Sequence, residues 1–256
     1  MLPEPGAGFH WIGEPWGPML RCAALEAVAR HGFTSRQLGL RPNDAAPAIW
    51  ATAVASVGCD LAQLARVRQV HGAAVRVVRA CDLEAPVPDA DALVTNEPNI
   101  AVAVVAADCV PVLLADPRTG AVAAVHAGWR GTAANVVGAT VATLTQEFDA
   151  RPDTLVAAIG PSIGACCYEV GEELLAAFAA AGHTSADLAK WFARDHAGRL
   201  RLDLWQANAD LLVGAGVPRA QVHVAGLCTK THVHVLESFR VDGDRAGRMA
   251  AIIAAP

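Results

Sequence analysis

Val102–Gly131 reads VAVVAADCVPVLLADPRTGAVAAVHAGWRG, and the fold and the chemistry can be read outward from it. Two apolar runs, Val102–Ala106 and Ala121–Val125, have the length of buried strands. Between them lies Asp116-Pro117-Arg118-Thr119-Gly120. Pro117 fixes φ where a turn begins, and Gly120 accepts a positive φ where it closes. The expected object is a hairpin of these two runs with Cys109 and His126 at one end. His71, in RQVHGAAV (Arg68–Val75), ends another apolar run just before a glycine and is the third residue of interest.

One thiolate and two imidazoles suit a zinc ion. Three protein ligands leave a fourth position open, as catalytic zinc sites do. The residues are far apart in sequence, so spacing alone also fits a buried free cysteine and two hydrogen-bonded histidines.

Four segments carry a resemblance: Gln69–Gly72, Ala107–Leu114, HAGWRG (His126–Gly131) and IGPSIGACCYEVG (Ile159–Gly171). The chain resembles the multicopper polyphenol oxidoreductase (laccase-like) family. Its members are also described as purine nucleoside phosphorylases and as the peptidoglycan editing factor PgeF. The resemblance runs from about His31 to the C-terminus. It implies an α/β fold, a single-domain layered sandwich of mixed β-sheets flanked by helices, over residues 1–256. It implies that His71, Cys109 and His126 hold zinc, and that the substrate is a purine nucleoside, with phosphate. Asp108, beside Cys109, is a candidate proton shuttle, or an orienter of a histidine ligand through its second ring nitrogen. Neighbouring strand residues face opposite sides, so it can equally point away. Arg36, Gln69, Arg130 and Arg240 are candidate substrate contacts. Arg36 suits an anion because a guanidinium grips phosphate bidentately. The turn of HAGWRG, just before a helix, is a second place for an anion, with Arg130 as a supporting cation. Asp89 and Asp91 fit metal or base contacts, or a solvated loop.

The chain departs from the family pattern twice. The glycine-rich GGVS-like loop is missing, and the C-terminal CTY segment reads Cys228-Thr229-Lys230-Thr231-His232-Val233-His234. On a strand, His232 and His234 would share a face, an arrangement copper uses.

Of 256 residues, 54% are hydrophobic and 18% charged, which excludes a disordered chain. A net charge of −5 gives no basic field for nucleic acid or an anionic membrane. No signal peptide and no membrane span are read. Seven cysteines without regular spacing then point to reduced thiols in the cytoplasm. Cys166 and Cys167 are adjacent, which suits packing beside the cleft better than a disulfide. The oligomeric state is left open, with a monomer the simpler expectation.

Further expectations are local. Phe9–Ile12 is an edge strand or part of an irregular arm. Leu20–Arg30 is helical on propensity. Ala45–Val57 is a helix ended by Gly58. Pro111 marks a strand edge or end. Thr132–Phe148, Val170–Ala181 and Leu204–Ala215 are helices, the last capped by Asp203. Trp191–Leu204 is a short hairpin through Ala197-Gly198.

Three functions compete. The first is a zinc-dependent enzyme of purine nucleosides, by phosphorolysis or by deamination at C6, with cell-wall amide cleavage as a variant. The second is a copper oxidase. Nine histidines with one HxH pair argue against it, so copper is not the favoured metal. The third is a metal-free hydrolase with Cys109 as nucleophile and His126 as base.

Overall fold

Val110–Ala115 and Val122–Ala127 pair antiparallel, with Val110 opposite Ala127 and Ala115 opposite Val122. The turn between them forms as its residues dictate. Asp116 and Ala121 close it through an N–H to carbonyl bond of 2.8 Å, and Gly120 adopts φ 70°. The hairpin therefore exists, but its first arm is not the expected Val102–Ala106. That run lies in a different sheet, and Ala107–Cys109 carries the chain across. A computed structural model describes residues 1–41, 47–83 and 86–256.

The first sheet contains β1 (Phe9–Glu14), β2 (Gly17–Cys22), β3 (Arg30–Thr34), β4 (Leu64–Arg66), β7 (Ala101–Ala106) and β14 (Met249–Ala254). Its order is β1-β2-β3-β14-β7-β4. The second contains β5 (Val75–Val77), β6 (Ala92–Thr95), β8 (Val110–Ala115), β9 (Val122–Ala127), β10 (Val156–Ile159) and β13 (Val222–Val224). Its order is β13-β10-β8-β9-β6-β5. Both sheets are mixed. β4 and β7 run parallel, as do β5 with β6 and β10 with β13, and the other pairs are antiparallel.

The two sheets pack face to face. Val102 and Val104 of β7 and Met249, Ala251 and Ile253 of β14 meet Leu113, Ala115, Val122 and Ala124 of the second sheet. The alternate residues face outward but are also covered. Ala101, Ala103, Ala250 and Ile252 pack on Trp50, Ala53 and Val54 of α2 (Pro47–Ala55); the start expected at Ala45 lies outside the described residues. Val112, Leu114, Ala123 and Val125 pack on α4 (Val136–Phe148), α5 (Glu172–Ala180) and α7 (Leu204–Gly214). Strands buried on both faces need no polar alternation, which is why these segments read as continuous apolar runs.

Four local expectations change. Leu20–Arg30 is not a helix: Leu20–Cys22 completes β2, and only α1 (Ala23–Glu26) is helical before β3 begins. Sheet pairing overrides alanine's propensity there. Pro111 lies inside the central strand β8, opposite His126. It is tolerated because the ladder with β10 starts one residue later, at Val112, and Pro111 needs only its carbonyl, which accepts from Gly160 N–H at 2.9 Å. Thr132–Phe148 is two helices, α3 (Trp129–Ala133) and α4. Asn135, at φ 55°, breaks them and caps α4 by accepting from Gly138 N–H. His232 and His234 lie on a turn and not on a strand, so the shared-face argument for them falls.

The remaining elements follow the reading. Phe9–Glu14 is an edge strand. The Trp191–Leu204 hairpin is β11 (Phe192–Arg194) with β12 (Leu200–Leu202). Asp203 caps α7 by accepting from Gln206 N–H. A helix the sequence reading omitted, α6 (Ser185–Trp191), starts on a reciprocal Thr184–Asp187 capping box. A last short helix, α8 (Phe239–Asp242), precedes β14. Among the described residues no helix is long and apolar enough to cross a membrane.

One buried group ties this fold to pH. His31 on β3 is 1% exposed. Its Nε2 accepts from Cys22 N–H at 3.0 Å and its Nδ1 faces the Ala29 carbonyl, so the ring is held neutral. Burial lowers its pKa from 6.5 to about 4. The unfolded chain takes up this proton first, so stability falls as pH drops from 6.5 toward 4, by roughly 3 kcal/mol in total. Urea melts at pH 7 and pH 4.5 should show this slope, and a His31→Asn variant should flatten it. An unchanged slope in the variant would remove His31 as the cause.

Candidate metal centre

Three backbone devices bring the site together. Cys109 ends the crossover between the sheets, where Asp108 adopts φ 85°. His126 is the penultimate residue of β9 and is 3% exposed. His71 sits in the loop after β4, itself at φ 61°. Their ligand atoms lie within 4.8 Å of one another, and the two imidazole rings meet edge-on at 4.9 Å. The structure thus brings together the trio expected from sequence. Gly128 permits this approach, because a Cβ there would stand 2.8 Å from Cys109 Sγ and 3.2 Å from His71 Cδ2.

The group that organises these residues is Asp91, at the threshold of β6, and it is fully buried. One oxygen accepts from His71 N–H and faces His126 Nδ1, both at 2.9 Å. The other accepts from Gly72 N–H at 2.6 Å and Val70 N–H at 3.3 Å. Burial opposes its charge, but the His126 ring and these N–H donors outweigh burial and keep it a carboxylate. Asp91 therefore fixes which nitrogen of His126 is left for a metal, the role considered above for Asp108. Asp108 points elsewhere. It accepts from Thr229 Oγ1–H at 2.5 Å and Arg240 N–H at 2.6 Å, tying the crossover to the C-terminal segment.

Electrostatics favour a thiolate. Burial resists ionisation of Cys109, yet His126 and His71 overcome it and hold the thiol below its ordinary range. Burial likewise pulls His126 down, and the Cys109 and Asp91 charges push it up. The trio can hold a metal ion, and the same pairing would serve a nucleophilic thiol.

The trio opens into a cleft of about 680 Å³. Gln69, Val105, Asp108, Tyr168, Phe239, Arg240 and Arg248 are among the residues that line it, with Arg68 at its edge paired to Asp89. Gln69 is used by the backbone: its amide both accepts from and donates to Val105, each bond 2.7 Å. Arg240 lies over the Tyr168 ring at 5.1 Å and donates to the Glu169 carbonyl. Arg36 does not line this cleft. Its guanidinium is held by the Val233 carbonyl, Glu237 and Asp242. Arg130 is also outside the lining; it is exposed and stacks on Trp129 at 4.3 Å. Asp89 is exposed and paired with Arg68.

The family described as multi-copper polyphenol oxidoreductase laccase matches residues 24–256. The chain belongs to that family. A protein of Deinococcus radiodurans named purine nucleoside phosphorylase is 39% identical over 258 residues, covering 94% of each chain. A protein of an unknown prokaryotic organism named adenosine deaminase RL5 is 38% identical and covers 77% of each. The crystal structure of YlmD from Geobacillus stearothermophilus superposes with a TM-score of 0.85 at 28% identity, covering 96% of this chain and 98% of that one. The laccase-like fold expected from the sequence is therefore the observed one.

Other features of this laccase-like chain escaped the sequence reading. Asp91 reads in sequence as a metal or base contact or as a solvated loop acid, and its part as the anchor of His126 and of Val70–Gly72 is not displayed there, though PDADAL places it one residue before a strand. Tyr168 lines the cleft, where burial and then the Cys109 charge push its phenol up to about 12, so it stays protonated at neutral pH. Arg248 is half-buried in the wall and bonded to the Ala246 and Gly247 carbonyls, with no carboxylate partner among the described residues. His232 and His234 join no group of three ligand-type side chains among the described residues, whereas Cys166, Cys167 and Cys228 form one.

Proposed function

We propose that this chain is a zinc-dependent enzyme acting on purine nucleosides, with phosphorolysis as its reaction and adenosine deamination as the second reading. The observation that carries the proposal is the His71–Cys109–His126 trio at the base of a cleft with the guanidinium groups of Arg240 and Arg248 in its wall. The name of the Deinococcus radiodurans relative supports phosphorolysis, and the name of the RL5 relative supports deamination. The donor set fits zinc: one sulfur and two nitrogens, clustered within bonding reach, with the open side toward the cleft. When bound, zinc supplies Lewis acidity at neutral pH.

The protein's own residues do the rest. Arg240 and Arg248 hold phosphate beside the ribose. Tyr168, Val105 and Phe239 give the purine an apolar wall. Phosphate oxygen attacks the sugar's anomeric carbon, the bond to the purine breaks, and the base leaves with its bonding electrons. The protonated Tyr168 hydroxyl is a donor for that base. The seven free cysteines support a reducing, cytoplasmic setting.

Chromatography of adenosine incubated with the purified protein, with and without phosphate, tests this. Adenine formed only with phosphate is the expected result, and inosine would favour deamination. The absence of both, in protein shown to carry zinc, overturns the nucleoside reading.

A further inference from the structure

A second cluster of metal-type ligands lies outside the cleft's trio. Cys166 and Cys167 sit on the loop that follows β10, and Cys228 follows β13. The two loops are latched together by backbone. Ser162 N–H donates to the Leu227 carbonyl at 3.2 Å, and Thr229 N–H donates to the Ser162 carbonyl at 3.0 Å. This brings three sulfurs within 4.8 Å of one another, and all three cysteines are free. Three sulfurs each about 2.3 Å from a shared ion stand about 4 Å apart, so small side-chain rotations close the set. Exposure is graded across it: Cys228 is buried, Cys167 half-buried and Cys166 exposed. The open side faces a cavity of about 780 Å³ lined by Cys166, Cys167, Lys230, Arg199, Arg201 and Arg240.

We propose that Cys166, Cys167 and Cys228 form a second metal site, selective for a soft monovalent cation of the Cu(I) class held by three thiolates. The donors are sulfur alone, which selects soft ions over hard ones. No fourth histidine, cysteine or carboxylate joins the group among the described residues, and three sulfurs complete the shell of a three-coordinate soft ion without a water ligand. Each thiol that ligates releases its proton to solvent, and of the charged groups lining the cavity Lys230 and Arg240 face the resulting negative charge, while Arg199 and Arg201 are paired with Glu169 and Asp195 and Glu173 opposes it. The fold also prepares one sulfur in advance. Cys228 Sγ accepts from Gly164 N–H at 3.3 Å.

The site is independent of the activity proposed above, and so is its test. A Cys109→Ala protein, which lacks the thiol of the cleft, is titrated anaerobically with Cu(I) against a chromogenic chelator. It should retain one equivalent, with an X-ray absorption spectrum showing a shell of sulfur only. Adding Cys166→Ser, an exposed position where folding is not at stake, should weaken retention at least about tenfold. Adding Cys228→Ser should abolish it. No Cu(I) retained by Cys109→Ala, or equal retention after Cys166→Ser, overturns the proposal.

Discussion

Replacing Asp91 with alanine is expected to strip the cleft of its metal and lower the melting temperature together. The substitution leaves three backbone N–H groups and the His126 ring facing a buried hole. Each orphaned buried donor costs about 1–3 kcal/mol, and partial collapse of the hole recovers some of that. A net loss of about 3–5 kcal/mol is the scale for breaking a buried charged partnership. In a chain of this length that is a fall of roughly 6–20 °C. The released loop no longer presents His71, and His126 no longer has its orientation fixed, so metal affinity should drop about 10–100-fold. Thermal melts and zinc analysis after dialysis against a competing chelator read both effects. A variant that melts and binds like the parent would show that Asp91 organises nothing.

Cys109→Ala should act on chemistry and spare the fold. Its sulfur ends the Ala107–Cys109 link outside any strand and lies against Gly128 and the two histidines, so removing this one atom should keep the melting temperature of the metal-free protein within a few degrees. Activity should fall further than the ~10–100-fold expected for an outer partner such as Asp91. The same variant would disable a cysteine hydrolase, so the decisive comparison is the intact protein after chelation. The zinc reading expects activity to disappear and to return when zinc is added back. Activity that survives complete zinc removal would transfer the catalytic role to the Cys109–His126 pair acting as nucleophile and base.

What could be read in advance was what neighbours in sequence decide. The Asp116–Gly120 turn and the Asp203 cap are set by a handful of adjacent residues, and each formed. The metal trio was legible because its segments match a known family, not because of its spacing. The partner of Val102–Ala106 was not legible. A strand covered on both faces has no period to show which sheet it joins. Asp91 was a candidate contact, but its organising role was hidden for a related reason: it comes from Val70–Gly72 folding onto it, which neither segment displays alone. Leu20–Cys22 went astray because strand pairing with Phe9–Glu14 outweighs local helical preference.

The short link Ala107–Cys109 has an evolutionary consequence. No ladder joins β7 to β8, and the faces that β8 presents are fixed by its own ladders with β9 and β10. A residue added to or removed from the link would therefore leave Leu113 and Ala115 between the sheets and displace Cys109 from His71 and His126. The segment that carries the cysteine is therefore closed to insertions and deletions, whatever substrate selection favours. Length changes among descendants of this chain should accumulate instead at exposed turns such as residues 196–199 between β11 and β12, where no buried side chain has to move.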